Sequence, residues 1–219
     1  MTSDETYVLA GYVAGYRWKP PAQDWTKHLP AAVVSVSECL TDFLPEDQDT
    51  LTAPWHTTLQ DAVNASHQAS AGAGAAHVLA VSIPASAVLD LAAMIENWIG
   101  AYPHPILSNL TQPNSPDGIV QGFEVLGFET GRFHSWLCYD LLGEAIGKLD
   151  VCTNDHGLLD TIAEARQVAD AANSNRGTPQ GTPEEVTWFP ALITEHDRKR
   201  LPARRCPVRV RRGTAVRRS

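Results

Sequence analysis

The longest apolar stretch of this 219-residue chain runs from Ala75 to Ile95, and its pattern changes halfway along. AHVLAVSI, Ala76 to Ile83, is a run of strand length without polar alternation, as expected of a buried strand. From Ser86 onward, Val88, Leu91, Ala92, Ile95, Trp98 and Ile99 recur at helical spacing, with Ser86 placed to cap the helix. The stretch also contains His77, Pro84 and Asp90. It therefore predicts a strand followed by a helix and not a membrane span. A chain built from such pieces must pack a sheet against helices.

The remaining segments extend this reading. Thr6–Tyr16, Ala31–Val36, Ile119–Glu129 and Val186–Ile193 read as strands, the last demoted to an edge or a bulge by Pro190. Helices are expected over TAPWHTTLQDAV with Thr52 as cap, after Ser86, over Ser135–Gly147, and after Thr161. Thr161 and Glu164 form a capping-box pattern, with Ile162, Ala165, Val168, Ala169 and Ala172 on one face. Asn64–Ala75, small and polar, reads as a flexible loop. No regular βαβ repeat is present. The expected class is α+β: a single domain with a mostly antiparallel or mixed sheet and about four helices packed on one face.

Charge divides the chain. Of 17 Lys and Arg, ten lie from Arg198 to Ser219, where no acid is found. Residues 1–196 keep seven of these bases against 24 acids, a formal charge of −17. We therefore expect an acidic globular domain over 1–196 and a basic, disordered tail over 197–219. An acidic body repels a polyanion, so nucleic acid is not an expected partner apart from the basic tail, which is read as a floppy extension able to fold back on the body. Asp4 and Glu5 stand where a secretory signal would carry Lys or Arg. Four cysteines are too few for a disulfide framework. Together these predict a cytoplasmic protein with free thiols.

One stretch invites a chemical reading. Phe133 to His156 contains His134, Cys138, Cys152 and His156, two His/Cys pairs of equal spacing in mirror order. Zinc takes such N and S ligands, and all four are candidates for it. Cys138 is alternatively a nucleophile with His134 or His156 as base, because the start of a helix lowers a thiol pKa. The favoured reading is structural. Cys138 falls in the apolar stripe of Leu137, Leu141, Leu142, Ala145 and Ile146, while Cys152 and His156 flank the turn formers Asn154, Asp155 and Gly157. No phosphate loop, nucleophile elbow or calcium loop occurs, so no cofactor is expected, zinc being the alternative.

Two groups of residues suggest a binding surface. Trp18 and Trp25 flank the Pro-rich loop YRWKPPAQDW, and Asp42, Glu46, Asp47 and Asp49 form an acidic run. The expectation is a non-catalytic, protein-binding module of immunity or inhibitor type that engages a basic protein partner. The alternative is a small zinc- or cysteine-dependent enzyme built on the 134–156 region.

Overall fold

In the computed structural model the described residues are 5–15, 17, 19–20, 27–37, 55–73, 76–97, 118–129, 132–139, 148–177 and 186–196. The expected tail, 197–219, lies outside them.

Five strands form one sheet: β1 (Tyr7–Gly15), β2 (His77–Pro84), β3 (Ile119–Glu129), β4 (Arg132–Ser135) and β5 (Thr187–His196). Their order is β1-β2-β5-β3-β4, and every neighbouring pair is antiparallel. Three α-helices are defined among the described residues: α1 (Leu59–Ala73), α2 (Val88–Asn97) and α3 (Ile162–Ser174). The α+β class holds, with three helices against the expected four or so. Over Ser135–Gly147, residues 136–139 form a 3₁₀ turn and 140–147 lie outside the described residues.

Neighbouring residues along a strand point to opposite faces, so the core clusters show how the sheet is covered. Leu79, Val81 and Ile83 of β2 and Phe189, Ala191 and Ile193 of β5 pack with Leu91 and Ile95 of α2 and with Val34, Val36 and Trp55. The alternate residues Val78 and Ala80 pack with Ala62 and Val63 of α1. On that second face, Val125 and Trp188 meet Ala165, Val168, Ala169 and Ala172 of α3. Helices thus cover both faces, not the single face expected. This is why β2 is an unbroken apolar run: neither side of it meets water.

Local chemistry explains where the elements begin. The capping box forms as read. Thr161 Oγ1 accepts from the Glu164 N–H at 3.2 Å, and Glu164 Oε2 accepts from the Thr161 N–H at 2.9 Å. α1 begins later than expected, because Thr58 supplies the cap, its Oγ1 accepting from the Asp61 N–H at 3.2 Å. α1 then runs through Asn64–Ala73, the segment read as a loop. Its alanines favour helix, and Ser66 returns its hydroxyl to Val63 O at 2.8 Å. Ser86 does not cap α2. It sits in a 3₁₀ turn, and its hydroxyl donates to Glu5 instead.

Two strand expectations are revised. Ala31–Val36 forms no strand beyond a bridge at Val33. The Val34 N–H is taken by His156 O at 2.8 Å and the Val36 N–H by the Glu124 carboxylate at 3.0 Å, so these two donors, on one edge of the segment, go to a loop and a side chain and not to a ladder. β5, expected at an edge or to bulge at Pro190, is the central strand, and Pro190 pairs in register with Val125. Its pairing with β2 ends at Ser82↔Leu192, two residues before Pro190. Beyond that point the β2 side of β5 is taken by a side chain of α3. Asn173 Nδ2 donates to Trp188 O at 2.8 Å, and the Trp188 N–H donates to Asn173 Oδ1 at 2.9 Å. Pro190 shares this orientation two residues on, so its missing N–H costs no bond to β3.

Candidate functional site

Of the expected His/Cys residues, the structure places His134 and His156 on different elements. His134 lies on β4 opposite Gly127, with its Nε2 3.8 Å from Glu129 Oε2. His156 lies in the 151–160 loop, which joins β3 at Gln121 and Phe123 through Asn154 and Leu159. The intervening four to six residues of β3 correspond to roughly 13–20 Å. Cys152 is an exposed free thiol. The side chain of Cys138 lies outside the described residues, as do Trp18, Trp25, Asp42, Glu46, Asp47 and Asp49. Among the described residues no three His, Cys, Asp or Glu side chains gather as metal ligands.

The loop carrying His156 is held by one asparagine. Asn154 Oδ1 accepts from the N–H groups of His156 and Leu158 at 2.9 and 3.1 Å, and its Nδ2 donates to Gln121 O and Asp160 Oδ1. The loop packs so closely on β3 that a Cβ at Gly122, where φ is +138°, would come within 2.7 Å of Leu159 O. His156 Nδ1 is thereby set 3.0 Å from Arg17 Nη1. Arginine can only donate, so Nδ1 accepts and the ring proton sits on Nε2. Arg17 also reaches Glu195 Oε2 at 3.5 Å, and Glu195 Oε1 bonds His77 Nδ1. This half-exposed chain of four side chains ties together the ends of β1, β2 and β5 and the loop.

A second carboxylate is placed very differently. Glu124 of β3 is fully buried and bonded by the Ser35 hydroxyl, the Val36 N–H and the Ser135 hydroxyl. Burial raises its pKa to about 7, against the lowering effect of those three donors. It shares a strand face with Leu126 and Phe128, and an acid on that apolar parity was the sequence signal for it. Burial likewise lowers the pKa of His56, against a nearby Asp61.

Among the described residues a concave feature lies between α2 and α3, where β2 has left the edge of β5. Its volume is about 390 Å³. Buried Leu91, Phe189 and Pro190 and part-buried Met94 form its base, while exposed Asp90 of α2 and Asp170 of α3 stand at its rim. Arg166 also lines it, but its guanidinium is bonded to Glu5. The cleft therefore offers an apolar base under two carboxylates, its lining arginine being paired with Glu5, a setting for an aliphatic stem with a positive head. None of this was read from the sequence, because its walls come from segments far apart in the chain. Compared with protein-family models, with curated proteins and with solved structures, the chain matches none.

Proposed function

We propose that this protein is a non-catalytic acidic module that binds a basic protein partner, in the manner of an immunity or inhibitor protein. One observation carries the reading: three of the seven basic residues of 1–196 are bonded within the domain, while many of its acids face solvent. Arg17 is bound to Glu195 and His156, Arg166 to Glu5, and Arg176 to Val186 O and Thr187 Oγ1. Asp90, Glu96, Asp150, Asp155, Asp160 and Asp170 face solvent. The resulting negative field attracts a basic surface and speeds its approach. Affinity capture at low and high salt tests this. A specific basic partner is expected at low salt, its binding falling roughly tenfold or more as salt screens the charges. Absence of any such partner at low salt refutes the reading.

A second reading, a thiol- or zinc-dependent enzyme, is favoured by Cys152 alone, an exposed free thiol on the loop that bears His156. Stoichiometric zinc in the purified protein, lost on Cys152→Ala, is the result that would put this reading first.

A further inference from the structure

We propose that the α2–α3 cleft is the docking point of that basic partner, and that it takes an arginine or lysine side chain projecting from an exposed segment. The proposal rests on the acidic-module reading above and adds a place and a mode. A volume of about 390 Å³ accommodates a long side chain with part of its neighbours. The methylene stem lies on Leu91, Met94, Phe189 and Pro190, and the cationic head meets Asp90 and Asp170. These two acids come from different helices, so the head is approached from both walls. Arg166 does not oppose it, being committed to Glu5. Asn173 already holds both backbone groups of Trp188 on the open side of β5, so the partner cannot add a strand there. Recognition is by side-chain insertion.

The test uses the full chain and a synthetic peptide of alternating arginine and leucine, titrated calorimetrically at low salt. A peptide with glutamate in place of arginine is the control. Asp90→Asn with Asp170→Asn should weaken binding roughly tenfold or more. Met94→Trp, which fills the cleft without changing charge, should do the same. Glu96→Gln with Asp155→Asn removes the same charge elsewhere and should change affinity less than about twofold. Unchanged melting temperatures confirm that the variants are folded. If both charge-neutralised pairs weaken binding equally, or Met94→Trp has no effect, the cleft is not the docking point, while salt-dependent capture still supports the acidic module. If the wild-type chain binds neither peptide nor any basic protein at low salt, both fail. If binding appears only after the arginines of 198–218 are replaced by glutamine, the cleft's occupant is the chain's own basic segment and an external partner is overturned.

Discussion

Glu124 and Glu195 lie on neighbouring strands and point to the same face of the sheet, yet their surroundings differ in kind. Glu195 is about one-fifth exposed and holds two cationic or ionisable partners, Arg17 and His77. Glu124 is fully buried, and its contacts are two hydroxyls and one backbone N–H. Three hydrogen bonds do not replace the water that Glu124 has lost, and its pKa rises to about 7. A carboxylate at the margin of this sheet acts as an ion-pair clamp. The same group within it acts as a proton-holding polar joint between β3, β4 and the 33–37 segment. Position relative to water, not residue type, assigns the role.

The strongest way to break this contrast is Glu124→Ala. It leaves a small cavity and strands the Val36 N–H and two hydroxyls, and should lower unfolding free energy by about 4 kcal/mol at pH 5. Denaturant titration measures this. A loss under about 1 kcal/mol would mean the joint is dispensable.

Next comes the pH dependence. Between about 4.5 and about 7 the folded chain keeps the Glu124 proton that the unfolded chain releases. Its contribution is therefore full below pH 4.5, falls as pH rises, and is gone above about 7. The fall amounts to about 3 kcal/mol. Glu124→Gln keeps the shape and cannot ionise, because the serine hydroxyls can turn to accept from its amide. The difference in stability between wild type and this variant should therefore vary by that amount across the window. Parallel profiles would show that Glu124 does not titrate there.

A neutral buried joint sharpens the comparison. Asn173→Ala removes both partners of the Trp188 backbone, and should cost about 2 kcal/mol without altering the pH profile. The smallest effect is expected at the clamp. Glu195→Gln weakens two part-exposed pairs and should cost no more than about 1 kcal/mol, less in high salt. A cost equal to that of Glu124→Ala would erase the distinction between the two carboxylates.

Much of the fold was legible because its signals are local. The β2 run, the periodic positions Val88 to Ile95 of α2 and the Thr161–Glu164 box each lie within one short window, and the structure places them as read, Trp98 and Ile99 lying outside the described residues. Where the reading failed, a distant group had intervened. Ala31–Val36 has the composition of a strand, but the donors of Val34 and Val36 go to His156 O and Glu124. Ser86 has the chemistry of a cap, but its hydroxyl goes to Glu5. Pro190 has the look of an edge residue, and only the early departure of β2 lets it sit in a central strand. His134 and His156 each stand four residues from a cysteine, but one histidine lies on a hairpin strand and the other in an asparagine-held loop.

By itself the sequence determined the class of the fold, four of its five strands, the helices after Ser86 and Thr161, and the acidic surplus of residues 1–196. These follow from backbone propensity, side-chain period and counted charge, which depend only on near neighbours or on totals. Tertiary structure alone decided which carboxylate is buried, which cations are already taken, and that Asp90 and Asp170 share one cleft. Those properties depend on distance through space and on access to water, and only the packed sheet and its helices set either one.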